Sequence, residues 1–330
     1  MFFESNNQNI RYTGRWGAVK DWGAKGYMTA VAPGAYFEFA FKGTWAEIEF
    51  YTEYSYEPHG NVYIEVDGGA RIESTIQKYI RINAKGEGTH YVKVIYKSTV
   101  EQMNRWYVPL NTKLSVVGIE TDELTTLAPD ERKTIELIGD SITEGVLVAN
   151  NRVHIQEQMN RPWQDDATST YGWLLAEAMN LRPYTMGFGA TGLTRPGCGC
   201  VPKASEQYPY NFDGSPVTFP SCDYIMINHG ANDRAPGNVP NARYYDEYYS
   251  FLKLVRERNP KSEIIILSAF CGACDSTLPE FVESYNKETG DKVHLILSTG
   301  WVPLDPLHPL REGHAIIAKH LIEEFKKLGI

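Results

Sequence analysis

One serine of the chain lies where a catalytic nucleophile could be held. An apolar run over residues 135–138, typical of a buried parallel strand, is followed by Gly-Asp-Ser at residues 139–141 and then by a helix-compatible segment. This order predicts that Ser141 lies at the carboxyl end of the strand, where backbone N–H groups near a helix N-terminus can stabilise charge on a carbonyl oxygen. Ser141 is therefore a candidate nucleophile, and it needs a base, an orienting group and oxyanion donors.

A histidine and an aspartate that could complete such a site lie before the last predicted helix. Asp305 and His308 are three residues apart, and two prolines restrict the backbone around them. This spacing can place the carboxylate against one imidazole nitrogen while the other nitrogen faces a serine. The alternative is a structural or merely exposed histidine near the start of a helix.

Two further segments end predicted strands with groups that could contact a reacting carbonyl. The glycines of residues 186–192, Gly189 among them, let the backbone approach a substrate closely, although the segment could equally be a Gly-rich turn. Asn232 follows the clearest buried strand, and its amide could donate to an oxyanion, although Asn-Asp after a strand is also ordinary turn chemistry. Four such segments at four strand ends favour an acyl-transfer site over a chance arrangement.

The elements that must position these residues differ between the two halves of the chain. Up to residue 128, short alternating strands and a hairpin signal at residues 67–69 predict an antiparallel β-sandwich or jelly roll. The later half alternates apolar runs with helical stripes, which predicts a three-layer α/β/α sandwich whose ligands bind at the carboxyl ends of parallel strands. We therefore predict domains at residues 1–128 and 129–330. The predicted parallel strands are residues 135–138, 184–186, 224–227, 264–267 and 293–297.

Composition excludes some classes of partner. The 330 residues carry a formal net charge of −9, which argues against nucleic acid or another polyanion. Residues 1–7 have no basic start and no apolar run of signal-peptide length, and no later stretch is long enough to span a bilayer. We expect a cytoplasmic protein with no membrane partner and no cofactor. The sequence leaves the oligomeric state open, a homo-oligomer included.

The five cysteines of the chain all lie in predicted loops of the second half. Their short spacings leave a structural zinc as one interpretation, but Cys-x-Cys is not the usual zinc spacing and no histidine lies in either cluster. Reduced free thiols are the preferred interpretation, and we predict no metal site. The cysteines are Cys198, Cys200, Cys222, Cys271 and Cys274.

Taken together, the segments at the strand ends resemble the four sequence blocks of the SGNH (GDSL) hydrolases over residues 134–330. The matching segments are residues 139–141, Gly189, residues 230–233 and residues 305–308. The resemblance implies a flavodoxin-like esterase domain with Ser141 as nucleophile, His308 as base and Asp305 as the partner of the base. It also implies an oxyanion hole formed by the backbone N–H groups of Ser141 and Gly189 and by the Asn232 side chain.

The first half narrows this resemblance. Residues 10–15, 34–39 and 62–68 are similar to the N-terminal jelly roll of carbohydrate esterase family 2. Members of that family remove acetyl groups from plant polysaccharides or their fragments, so the resemblance implies an acetylesterase acting on acetylated xylo-, manno- or gluco-oligosaccharides. Some of its members work with a Ser-His dyad, so the resemblance does not decide whether Asp305 is needed.

Specificity is expected to come from loops. Residues 150–166 form a long polar insertion whose amides and Trp163 suit a sugar, and Trp301 is a second candidate platform. The alternative is that both tryptophans pack loops against the core. With Asp140, these tryptophans are the predicted substrate-binding residues. Two other functions stay open, namely an esterase or thioesterase for longer acyl chains and a non-catalytic glycan-binding protein.

Overall fold

An antiparallel sheet occupies the first part of the chain. The computed structural model describes residues 1–19, 26–149 and 161–330. Its antiparallel strands follow the order β3-β4-β10-β5-β9-β6-β7, with β1 beside β10 and with β2 and β8 beside β5. They are β1 (Phe2–Glu4), β2 (Ile10–Thr13), β3 (Gly17–Val19), β4 (Tyr27–Ala30), β5 (Tyr36–Phe50), β6 (Asn61–Val66), β7 (Ile72–Thr75), β8 (Tyr79–Asn83), β9 (Thr89–Ser98) and β10 (Leu114–Thr125).

Strand β5 organises this sheet. Its first half pairs with β2 and β9, and its second half pairs with β10 and β8. Phe37, Phe39 and Phe41 point into one core, as alternation predicts. Glu38 alternates with these phenylalanines, and its Oε2 accepts a hydrogen bond from the Arg11 Nε at 2.8 Å. The jelly-roll prediction for the first half is confirmed.

The second part of the chain contains the parallel sheet, in the order β12-β11-β15-β18-β19. All five predicted parallel strands are present in it. The short hairpins β13-β14 and β16-β17 were not predicted, because strands of two or three residues carry no readable alternation. The elements are β11 (Thr134–Gly139), α1 (Ser141–Glu144), a 3-10 helix (Ala167–Ser169), α2 (Tyr171–Ala178), β12 (Arg182–Gly187), α3 (Ala204–Gln207), β13 (Tyr210–Phe212), β14 (Ser215–Pro216), β15 (Tyr224–Asn228), β16 (Arg234–Ala235), β17 (Val239–Pro240), α4 (Tyr244–Arg258), β18 (Glu263–Leu267), α5 (Leu278–Thr289), β19 (His294–Ile296) and α6 (Arg311–Leu328).

Helices cover both faces of this sheet. One core joins α2 and α6 to Ile135 and Leu137, and the other joins α4 and α5 to Ile138, Ile225 and Ile227. Burial on both faces explains why the parallel strands are continuous apolar runs rather than alternating ones. The three-layer α/β/α prediction is confirmed. None of the helices in the described ranges has the length and hydropathy of a membrane span.

The two sheets are joined through a buried ion pair. Arg15 follows β2, and its Nη2 lies 2.7 Å from Oε1 of Glu136 in the middle of β11. Both side chains are at most 1% exposed, and the Tyr208 hydroxyl donates to the same carboxylate. The predicted boundary after residue 128 falls between β10 and β11. That boundary stays a prediction, since the two sheets share buried contacts.

Candidate active site

The structure brings Ser141 and His308 together at the carboxyl end of β11. Ser141 is the first residue of α1, and the Asp140 carboxylate caps this turn by accepting the Ile142 N–H at 2.9 Å. A Cβ at Gly139 would lie 2.1 Å from the Thr143 hydroxyl oxygen, so only glycine fits before the turn. The Ser141 Oγ lies 2.8 Å from the His308 Nε2, across 167 residues of sequence. This distance allows a neutral imidazole to accept the serine proton.

Two of the three predicted oxyanion donors already have hydrogen-bond acceptors in the protein. The Ser141 N–H has no acceptor among the described residues. The Asn232 Nδ2 donates to the Asp140 Oδ2 and to the Thr191 carbonyl, each at 3.1 Å. The Gly189 N–H donates to the Glu144 Oε2 at 2.6 Å. A substrate oxyanion can therefore use the Ser141 N–H directly, whereas Asn232 or Gly189 must first exchange a partner. Their roles as oxyanion donors stay predictions.

The structure does not bring Asp305 to His308. Asp305 is exposed between two exposed leucines, and it forms no hydrogen bond with any described residue. Because the Asp305 carboxylate is hydrated, it does not need the imidazole as a hydrogen-bond partner. The expected contact between the Asp305 carboxylate and the His308 imidazole is absent. The geometry is that of a Ser-His pair.

We expect Asp305→Asn to lower kcat by less than about 10-fold, because the carboxylate does not orient the imidazole in this geometry. His308→Ala is the reference variant, and its loss should be larger by orders of magnitude. Steady-state hydrolysis of nitrophenyl acetate by both variants measures the difference. A loss in Asp305→Asn that equals the loss in His308→Ala would establish a triad instead.

A charged pair that the sequence analysis missed acts electrostatically on His308. Glu101, on the connection after β9, pairs with Arg161 at 3.4 Å, and both side chains are largely buried. Burial lowers the pKa of His308, the Glu101 carboxylate opposes that shift, and the Arg161 guanidinium adds to it. The His314 imidazole also interacts electrostatically with His308. Glu101 follows a strand of the antiparallel sheet, far in sequence from the segments at the ends of the parallel strands. No sequence motif therefore links it to the site.

Activity should depend on pH through His308. The base must be neutral, and its pKa lies below the ordinary 6.5 because the ring is buried, so the rate should fall only as pH drops below that value. Glu101→Gln removes the carboxylate that raises this pKa, and the acid limb of kcat/KM should move to still lower pH. Profiles of kcat/KM between about pH 4 and 8 give the acid limb of the parent and that of Glu101→Gln.

The exposed Glu87→Gln is the matched control for this comparison, because it removes the same charge from a loop of the first sheet. Its profile should overlay that of the parent. Movement of the Glu101→Gln limb to higher pH would contradict the assignment of His308 as the base.

The predicted substrate-binding residues have different surroundings. Asp140 is buried, both its carboxylate oxygens accept hydrogen bonds, and burial raises its pKa to about 7. Its contacts are those of a helix cap and an anchor for Asn232. Trp163 is 50% exposed, whereas Trp301 stacks on His320 of α6 with ring centroids 4.9 Å apart. Trp163 is thus half-exposed, whereas Trp301 packs against the core, as the alternative interpretation expected. Residues 150–160 of the polar loop lie outside the described residues.

The cysteines are unpaired in the described residues. Burial raises the pKa of Cys274 to about 12, and it also raises the pKa of Cys222 well above the thiol range. Both side chains are therefore protonated thiols rather than thiolates. The described part of the chain contains no group of three or more His, Cys, Asp or Glu side chains arranged to hold a metal ion.

Comparison with known proteins places this geometry in a family. The model of the GDSL-like lipase/acylhydrolase family matches residues 137–316, which include Ser141, Gly189, Asn232 and His308. No curated protein is similar enough in sequence to be matched to the chain.

Solved structures resemble the chain over nearly its full length. A family two carbohydrate esterase from Cellvibrio japonicus is 18% identical with a TM-score of 0.78, covering 99% of this chain and 97% of its own. A family two carbohydrate esterase from Clostridium thermocellum in complex with cellohexaose is 21% identical with a TM-score of 0.75, covering 97% and 99%. An acetyl xylan esterase from the rumen bacterium Butyrivibrio proteoclasticus is 19% identical with a TM-score of 0.74, covering 100% and 98%.

At these identities the solved structures show a shared two-part fold. The family match covers more than half of the chain and contains the Ser141 and His308 pair. The chain therefore belongs to the GDSL-like lipase/acylhydrolase family and is a carboxylic ester hydrolase.

Proposed function

We propose that the chain is a serine esterase that removes O-acetyl groups from carbohydrates through an acyl-enzyme intermediate. The observation that carries this proposal is the 2.8 Å contact between the Ser141 Oγ and the His308 Nε2 at the carboxyl end of β11. A hydroxyl in contact with an imidazole whose pKa is lowered by burial has the neutral base that nucleophilic attack needs.

Acylation begins when the Ser141 Oγ attacks the ester carbonyl carbon and its proton passes to the His308 Nε2. The carbonyl electron pair moves onto oxygen, and the Ser141 N–H stabilises the resulting oxyanion, with the Asn232 amide once it has exchanged its contact with the Asp140 carboxylate while it stays on the Thr191 carbonyl. Collapse of this intermediate breaks the bond to the sugar oxygen, which takes the proton from His308. The acetyl group remains on Ser141.

Deacylation repeats these steps with water as the nucleophile. His308 removes a proton from water, the oxygen attacks the acetyl carbonyl, and acetate leaves as Ser141 regains its proton. His308 is an imidazolium during both half-reactions. Since Asp305 does not contact it, we infer that the Glu101 carboxylate supports this transient charge, consistent with its upward influence on the pKa of His308.

A polar ligand suits the surroundings of the pair. The charges of Glu101 and Arg161 both act on His308, and Trp163, two residues after Arg161, is half-exposed. Charged groups and an aromatic face match sugar hydroxyls and a pyranose ring, whereas a long acyl chain would need an apolar channel. The similar folds of family two carbohydrate esterases and of an acetyl xylan esterase support the same substrate class.

The test is acetate release from acetylated xylo-, manno- and gluco-oligosaccharides, beside hydrolysis of nitrophenyl acetate and nitrophenyl octanoate. We expect rapid acetate release from at least one sugar and little turnover of octanoate. Preference for octanoate would establish an esterase or thioesterase for longer acyl chains. Binding of acetylated sugars without turnover would establish a glycan-binding protein.

A further inference from the structure

The connection between β9 and β10 enters the catalytic half of the chain. Its Arg105 is completely buried, and the backbone N–H of Arg105 donates to the Gly199 carbonyl at 3.0 Å. The guanidinium forms a fork on the Glu144 carboxylate, with Nη1 on Oε1 and Nη2 on Oε2, the latter at 3.0 Å. A residue on the loop between two antiparallel strands thus neutralises a carboxylate three residues after the nucleophile.

Glu144 connects this ion pair to the loop after β12. Its side chain is 2% exposed, and its Oε2 accepts the Gly189 N–H at 2.6 Å. Burial raises the pKa of Glu144, and the Arg105 guanidinium opposes that rise. A buried carboxylate that lost this counter-charge would be strongly unfavourable and would have to protonate or move. Either change would disturb its hydrogen bond with Gly189.

The loop after β12 has little space to adjust. A Cβ at Gly189 would lie 2.4 Å from the Glu101 Oε2 and 3.5 Å from the Glu144 Oε2. The Arg105 guanidinium lies 5.0 Å from the ring centroid of Phe188. Two residues beyond Gly189, the Thr191 carbonyl accepts the Asn232 amide at 3.1 Å. The loop therefore links the ion pair to the side chain expected to stabilise the oxyanion.

We propose that Arg105 is a positioning residue of the hydrolase, which acts through Glu144 to fix the loop after β12 and thereby the Asn232 amide beside Ser141. The antiparallel sheet is then a part of the catalytic apparatus rather than an appended module. This inference rests on the serine-esterase mechanism proposed above, but it does not depend on which ester is the natural substrate.

The experiment compares Arg105→Met with Arg15→Met on nitrophenyl acetate. Arg15 and Glu136 form an equally buried ion pair between the same two halves of the chain, so Arg15→Met is a control for stability alone. Both variants should lower Tm, and at a temperature where both are folded only Arg105→Met should lower kcat, by about 10²-fold, with KM little changed. Arg105→Lys keeps the charge but not the fork, and it should show a smaller loss of kcat without the loss of Tm.

A double variant distinguishes a positioning role of Arg105 from a general destabilisation of the fold. In Arg105→Met/Glu144→Gln the amide oxygen can still accept the Gly189 N–H while no buried charge is left unpaired, so kcat should return to within about 10-fold of the parent. If Arg105→Met does not fold, Arg105→Lys and the double variant provide the same comparison.

An unchanged kcat in the Arg105 variants, an equal loss in Arg15→Met, or a double variant no faster than Arg105→Met would overturn the positioning role. A parent without any esterase turnover would instead contradict the proposed function. The two failures are therefore distinguishable.

Discussion

Replacement of Ser141 by alanine is expected to lower kcat by about 10⁴- to 10⁶-fold, because no acyl-enzyme can form without the attacking Oγ. His308→Ala should cost a similar factor, since the serine hydroxyl at 2.8 Å then has no acceptor for its proton. The double variant should be no slower than either single variant, because the two side chains act as a unit. Initial rates with nitrophenyl acetate measure all three.

Circular dichroism and Tm control for folding in this series. Ser141 is 8% exposed, and its side chain forms one hydrogen bond within the described residues, so Ser141→Ala should stay folded. A Ser141→Ala variant that keeps more than about one tenth of the parental kcat would exclude Ser141 as the nucleophile.

Asn232→Ala is expected to lower kcat by about 10²- to 10³-fold with little change in KM, the pattern of a donor that acts mainly in the transition state. The structure makes this expectation sharper, because the Gly189 N–H is held by Glu144 and the remaining donors must carry more of the oxyanion stabilisation. The loss is measured on nitrophenyl acetate, where sugar recognition plays no part.

Asn83→Ala on the exposed edge of β8 is the matched control for Asn232→Ala, and it should have parental kinetics. Near-parental kcat in Asn232→Ala would remove this amide from the oxyanion hole. The Ser141 N–H and a Gly189 N–H released from Glu144 would then be the donors.

The parallel sheet and its nucleophile could be predicted because their signals are local. Apolar runs such as residues 224–227 mark strands buried on both faces, and a Gly-Asp-Ser turn directly after residue 138 fixes where the nucleophile lies. Parallel strands bring their carboxyl ends to one edge of the sheet, so segments far apart in sequence could be assigned to a single site. The contact between Ser141 and His308 follows from this topology.

The contribution of the antiparallel sheet to the site could not be predicted. Arg105 and Glu144 are 39 residues apart, and Arg15 and Glu136 are 121 residues apart. Their meeting depends on how the two sheets pack, which no periodicity within either half encodes. Glu136, in the apolar run of β11, was the one available signal of such a pairing, because a buried carboxylate needs a partner from another part of the chain.

The spacing of Asp305 and His308 shows the opposite case, in which a motif is present and the expected contact is absent. Separation by three residues brings two backbone positions close, but it does not fix where each side chain points outside a helix. His308 is held by Ser141, whereas Asp305 stays in solvent. The motif thus predicted the proposed base, but it did not predict Glu101, whose carboxylate opposes the lowering of the His308 pKa.

The most direct test of the account is a rapid-quench reaction of the parent protein with nitrophenyl acetate, followed by mass analysis of its peptides. We expect one acetyl group on the peptide that contains Ser141 during the burst, and no such peptide in Ser141→Ala. Acetylation at another residue, or parental ester turnover in Ser141→Ala, would contradict the central claim that Ser141 and His308 form a serine esterase.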